Sequence, residues 1–181
     1  MNRGVSLNYY ELFGLEPNFN VDEKQLSDVF QRLQKSMHPD RFAHASSQEQ
    51  LLAVQKSSMI NDAYQTLKTP LKRAQYMLEL RGVDMPDEQS TVKDTMFLMR
   101  QMELRELLDD VKHAANPDDA LFAASQELDS EYQSLFSELQ VQLAQKNDEA
   151  NMAASENLRK LKFYQKLQIE LDRIEDQLFE L

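Results

Sequence analysis

His38, Pro39 and Asp40, with Arg41 and Phe42 behind them, set an imidazole and a carboxylate two positions apart across a proline. An imidazole oriented by a carboxylate can act as a general base, but it needs a nucleophile to activate. The chain has no cysteine, and no serine stands in a motif that marks a nucleophile. A catalytic dyad is therefore the poorer use of these residues. Pro39 fixes its own φ and removes an amide donor, which stiffens the loop and holds its neighbours at a set angle. Asp40 then becomes a rigidly offered acceptor, suited to a bidentate, charge-assisted pair with an arginine of another protein. The plainer alternative is that Pro39 ends a helix, His38 meets the dipole at that helix's C-terminal end, and Asp40 caps the loop.

The elements that must position this tripeptide are well punctuated. Asn8 with Glu11, Asn20 with Glu23 and Ser46 with Glu49 each place Glu three residues after a polar N-cap, the pattern of a capping box. A first short helix runs through Tyr9, Tyr10, Leu12 and Phe13 and is stopped by Gly14, which suits a left-handed terminating position. A second is expected from Val21 to about Met37, with Leu26, Val29, Phe30, Leu33 and Met37 along one face. Arg32 and Lys35 fall off that stripe. A third helix is expected from about Gln48 to Lys68, with Ala53, Ile60 and Leu67 a heptad apart and Ala63 and Tyr64 between them. The second and third then form an antiparallel pair with His38-Pro39-Asp40 at the turn. Thr69 and Pro70 supply an N-cap and a first-turn proline for a fourth helix through Leu71, Tyr76 and Leu80, which Gly82 ends.

Asp84 to Ser90, polar and interrupted by Pro86, is the best boundary in the chain. The expected organisation is residues 1–82, a linker over 83–90, and residues 91–181. Three long periodic segments fill the last part, about Thr91 to His113, Pro117 to Lys146 and Asp148 to Leu181. Asn116-Pro117-Asp118-Asp119 forms the corner between the first two. Phe97, Leu104, Leu108 and Val111 share a face of the first segment. Leu121, Leu128, Tyr132, Leu135 and Leu139 stripe the second, and Tyr164, Leu167, Leu171, Ile174 and Leu178 the third. Short loops between long amphipathic helices make antiparallel neighbours, so a three-helix bundle is expected. With three glycines and five prolines in 181 residues, the chain reads as all-α.

Charge is distributed unevenly. Residues 1–80 hold nine basic and nine acidic residues, while 81–181 hold eleven basic and twenty-two acidic, so the net charge of −11 resides in the second part. Such a surface repels phosphate backbones, and nucleic acid is not an expected partner. Without cysteine there are no disulfides and no thiolate metal sites; no metal or cofactor of its own is expected. The chain has no spanning apolar run and the stretch before Tyr9 lacks a signal-like core, so no membrane association and a cytoplasmic location are expected.

Tyr9-Tyr10-x-Leu12-Phe13-Gly14-Leu15, followed by His38-Pro39-Asp40 between the second and third helices, resembles the J-domain family over about Asn8 to Leu80. The resemblance implies that His38, Pro39 and Asp40, with Arg32, Lys35 and Arg41, dock on an ATPase chaperone of the DnaK/HscA class and stimulate its ATP hydrolysis. The ATP site would be that partner's, and the chain would not itself be an enzyme.

The run Thr95-Met96-Phe97-Leu98-Met99-Arg100-Gln101-Met102-Glu103-Leu104-Arg105-Glu106-Leu107 holds more apolar residues than one stripe can use. Leu98, Met99 and Met102 lie off the core line, and their strip continues through Glu103, Glu106 and Asp110. One reading is a wide core face with a solvated acidic edge; another is an adaptable binding surface, for which methionine is suited. This run, with Leu158-Arg159-Lys160-Leu161-Lys162-Phe163 on the last helix, resembles the HscB family of specialised J-proteins in bacterial iron-sulfur cluster assembly. The resemblance implies that Leu98, Met99, Met102, Glu103, Glu106, Asp110 and Phe163 contact the iron-sulfur scaffold protein, though Phe163 also reads as a core wedge. Some members carry an N-terminal cysteine metal site, which this sequence cannot form. Two other functions remain open on the residues: a helical adaptor in which the tripeptide is incidental, and a general J-protein for unfolded clients. The latter class usually adds a Gly/Phe-rich linker and substrate domains that are not found here.

Overall fold

The computed structural model describes residues 7–85 and 94–179, and every regular element among them is a helix. In chain order these are α1 (Tyr9–Leu12), α2 (Glu23–Met37), a one-turn 3-10 helix (Pro39–Phe42), α3 (Ser47–Lys68), α4 (Pro70–Leu80), α5 (Thr95–His113), α6 (Pro117–Ala144) and α7 (Asp148–Phe179). The chain divides into two compact units, Met1–Gly82 and Val83–Leu181. Residues 86–90 of the expected linker, 91–93 at the expected start of α5, and the last two residues lie outside the described residues.

In the first unit, α1 and α3 start with complete capping boxes, Asn8 with Glu11 and Ser46 with Glu49. The expected box at Asn20 does not form. Asp22 is the N-cap of α2 and accepts from the Gln25 amide at 3.0 Å. The side-chain oxygen of Asn18 takes the Asn20 N–H at 2.9 Å, a local turn that competes with helix and delays its start. Thr69 holds the N-cap position of α4 without a side-chain hydrogen bond; its carbonyl accepts the Arg73 amide at 2.8 Å. Gly14 and Gly82 follow α1 and α4 at φ +66° and +75°, the left-handed region that terminates a helix at little cost only for glycine.

α2 and α3 form the hairpin, with α1 and α4 packed on α3. Tyr10, Leu26, Ala53, Ile60, Ala63, Leu67, Leu71, Ala74 and Leu78 are buried between them, each of the larger side chains contributing about 1.5–3 kcal/mol. Burial pushes the Tyr10 phenol up to about 12, against the opposing charge of Arg73. The Tyr10 hydroxyl donates to the Asn18 carbonyl at 3.0 Å. Arg73 is itself buried, with its guanidinium over the Phe19 ring and Nη1 donating to the Leu67 carbonyl at 2.7 Å.

The second unit is the expected three-helix bundle. Phe97, Leu104, Leu108 and Val111 of α5, Ala124 and Leu128 of α6, and Tyr164, Leu167, Leu171 and Ile174 of α7 form one buried cluster. Leu121, Tyr132, Leu135 and Leu178, also expected in the seams, are partly buried against it. Asp94 starts α5 by accepting the Phe97 amide at 3.1 Å and meets Lys160 of α7 at 2.8 Å. The Lys160 hydrogen bond, followed by the amide of Phe97, holds the Asp94 carboxyl below its ordinary value. The corner before α6 is built as the sequence suggests, with Asn116 as N-cap and Pro117 in the first turn. α6 ends at Ala144, two residues before the expected Lys146.

Candidate functional site

Steric conflict with a following proline drives the preceding residue out of the helical region. His38 accordingly leaves α2 at φ −61°, ψ 128° and becomes the N-cap of the 3-10 turn, with Pro39 at its first position. Its Nδ1 lies 3.3 Å from the Asp40 amide and 3.4 Å from Asp40 Oδ2. One protonation state does not make both contacts: a neutral Nδ1 accepts the amide N–H, whereas a protonated Nδ1 donates to the carboxylate. The Asp40 side chain is 91% exposed, so it is not spent inside the protein.

The turn is tied down at both ends. Arg41 Nη1 donates to the Lys35 carbonyl at 3.2 Å, satisfying a last-turn acceptor of α2. Gln50 of α3 donates to the carbonyls of Ala43 and Ala45, each at 3.2 Å. Further down the hairpin, Gln34 Nε2 donates to Asn61 Oδ1 at 2.7 Å and Ser57 donates to Gln34 Oε1 at 3.1 Å. Arg32, Lys35, His38 and Arg41 line one open groove of about 1090 Å³ with Asp28, Gln31, Gln34 and Ser36. Asp28 is engaged by Lys24 at 2.9 Å. Pro39 and Asp40 are exposed in the adjoining turn. All six residues expected at a chaperone contact thus lie on α2 or the turn that follows it, and four of them share a groove. Gln34, Gln50, Ser57 and Asn61, which hold the frame, carried no signal in the sequence, because polar residues off an apolar stripe look alike until the two helices are in register.

On α5, Met99 and Met102 are 55% and 67% exposed, and Glu103, Glu106 and Asp110 are exposed with them. Leu98 is half-buried. The buried cluster contains none of these residues, and the exposure of Met99 and Met102 puts these two outside even a wider core face. Phe163 has something of both readings: it is half-buried against the core, edge-on to Phe97 with centroids 5.6 Å apart, and carries the Arg105 guanidinium 5.6 Å above its ring. It meets α5 through Phe97 and Arg105, the sequence neighbours of Leu98 and Glu106. Arg100, unassigned by its sequence, joins Glu103 to Glu127 and Glu131 of α6. Among the described residues, no group of three or more His, Asp or Glu is placed to hold a metal.

Residues 8–76 match the DnaJ domain family, and residues 93–172 match the family described as the HSCB C-terminal oligomerisation domain. A co-chaperone protein HscB homolog of Colwellia psychrerythraea is 57% identical over 174 residues, spanning 96% of this chain and 99% of the relative. A second, of Vibrio cholerae, is 49% identical over 95% of this chain and 99% of its own length. Among solved structures, chaperone HscB from Vibrio cholerae superposes with a TM-score of 0.85 at 47% identity, covering 96% of this chain and all of that one. Human co-chaperone protein HscB superposes at 0.84 with 25% identity, covering all of this chain and 87% of that one. With both domain families matched in turn, and with identity sustained across nearly the full length of its relatives, the chain belongs to the HscB family of J-domain co-chaperones.

Proposed function

We propose that the chain stimulates ATP hydrolysis by a DnaK/HscA-class chaperone and brings to it the iron-sulfur scaffold protein, so aiding maturation of iron-sulfur proteins. The observation that carries this reading is the pairing of a tied His38-Pro39-Asp40 turn, whose carboxylate faces solvent, with the basic groove of Arg32, Lys35 and Arg41. The groove attracts an acidic surface and orients the encounter. Asp40 then supplies a directional acceptor for an arginine of the chaperone. His38, with its Nδ1 at the Asp40 amide, and Pro39, with its fixed φ, hold that acceptor rather than react.

The scaffold sits on the second domain, residues 91–181. Met99 and Met102 give an adaptable apolar centre, flanked by Leu98 and Phe163, and Glu103, Glu106 and Asp110 give an acidic margin for basic side chains. Because the turn and this patch lie on different domains, one chain holds the scaffold and engages the chaperone together, raising the effective concentration of one for the other. The chain acts by binding and has no reaction of its own. Among the described residues no helix is long and apolar enough to cross a membrane. The proposed place of action is the cytoplasm.

The deciding experiment measures steady-state ATP hydrolysis by a purified DnaK/HscA-class chaperone with wild type or Asp40→Asn, with and without scaffold. Asp40→Asn is expected to keep its helicity and its scaffold affinity and to lose stimulation. Unchanged stimulation would sink the chaperone assignment. Equal binding of scaffold and of a general unfolded peptide would favour a J-protein for unfolded clients.

A further inference from the structure

Arg100 is the one basic residue within the Met-rich stretch from Thr95 to Gln101, and it does not face the partner freely. Its side chain is 30% exposed. Nε donates to Glu131 Oε1 at 3.0 Å, Nη2 to Glu127 and again to Glu131, and Nη1 to Glu103 Oε2 at 2.8 Å. The Tyr164 hydroxyl of α7 donates to the other oxygen of Glu131. One guanidinium therefore links an acid of its own helix to two acids of α6, and through them to α7.

The charges in this cluster do not cancel. One guanidinium faces three carboxyl groups, so Glu127 and Glu131 hold it from α6 while Nη1 holds the Glu103 side chain in place. The Glu131 carboxyl would be raised by burial, but hydrogen bonds from Arg100 and Tyr164 outweigh this and keep it below its ordinary value. Glu131 is thus a committed anion that anchors the guanidinium from the α6 side. Glu103 is 59% exposed with only one oxygen engaged by Arg100, which leaves the other available to a partner.

We infer that Arg100 is a positioning residue for partner binding: anchored by Glu127 and Glu131, its fork fixes Glu103 in the rotamer that the scaffold's basic side chain meets. The ordering cost of a long acidic side chain is then met before binding, which slows dissociation more than it changes encounter. A lysine at this position would keep the charge, but a single ammonium does not reproduce the planar fork that serves three carboxylates. This rests on the scaffold-binding reading of α5.

The test uses the full chain and purified iron-sulfur scaffold protein. Arg100→Gln is expected to speed dissociation about fivefold, and the effect is expected to vanish in a Glu103→Gln background while adding to that of Met99→Ala. Arg100→Lys should resemble Arg100→Gln. Equal loss with Glu103 intact and in the Glu103→Gln background would mean a structural role only, and wild-type dissociation in Arg100→Lys would mean that charge suffices; either overturns the inference. If Arg100→Gln unfolds the bundle, three-bond couplings across Glu103 χ1 in the wild-type chain decide, with one fixed rotamer expected and rotamer averaging fatal. A wild-type chain that binds no scaffold overturns the proposed function and this inference together, whereas binding with Arg100 and Glu103 uncoupled overturns the inference alone.

Discussion

Phe30 of α2 and Tyr64 of α3 stack with ring centroids 4.0 Å apart and planes inclined by 13°. Both rings are half-buried, and they join the two arms of the hairpin that carries the His38-Pro39-Asp40 turn. Phe30→Ala removes the stack and leaves space beside α3, at a cost of about 2–3 kcal/mol given partial exposure. Hydrogen exchange should quicken along α2 and α3, and chaperone stimulation should fall because the turn loses its frame. Protection equal to wild type would show that the stack is dispensable.

Arg41 closes the turn onto the Lys35 carbonyl at 3.2 Å. Arg41→Ala leaves that carbonyl to water and unties the turn, with no core residue disturbed. The half-maximal concentration for chaperone stimulation should rise about tenfold, as expected for losing a charged hydrogen bond. Helicity by circular dichroism should not change. A stimulation curve superimposable on wild type would remove Arg41 from the contact.

Met99→Ala/Met102→Ala separates binding from stability. Both side chains project into solvent, so the melting free energy should move by no more than about 0.5 kcal/mol. Scaffold affinity measured by titration calorimetry should fall about tenfold or more. Leu104→Ala, at a fully buried position in the same helix, should do the reverse in kind and destabilise the bundle by about 3 kcal/mol. Unaltered affinity in the double variant would defeat the patch.

Tyr10 makes the first unit sensitive to alkali. Its phenol titrates at about 12 in the folded protein against 10.0 when unburied. Between these values the unfolded chain has lost the proton and the folded chain has not, so stability present below pH 10 declines as pH rises through 12. Thermal melts from pH 9 to 12 should show this decline, and Tyr10→Phe should reduce it, leaving the share of Tyr76, whose phenol burial also raises, while lowering stability at neutral pH through loss of the Asn18 bond. An identical pH slope in the variant would assign the decline elsewhere.

Much of the helical frame was legible without coordinates. Asn8 with Glu11, Ser46 with Glu49, and Asn116 with Pro117 mark helix starts by interactions within four residues, so local spacing suffices to find them. Asn20 misled because Asn18, two residues earlier, competes for its amide, and nothing in the cap pattern weighs one local turn against another. The apolar stripes of α5 and α7 came through for the same local reason: a period of 3.6 residues names the buried face whatever lies opposite.

Cross-helix partners were a different matter. Arg100 meeting Glu127 and Glu131, Gln34 meeting Asn61 and Ser57, and Phe163 divided between the core and Arg105 all depend on the rotation and register of one helix against another. By itself, the sequence determined an all-helical chain, a His-Pro-Asp turn between two helices, and an acidic second half with surplus methionines. The tertiary structure alone decided which acids are held, which methionines face water and what ties the turn. Helix periodicity and caps are set by neighbours along the chain, whereas these contacts are set by packing between residues that the chain keeps far apart.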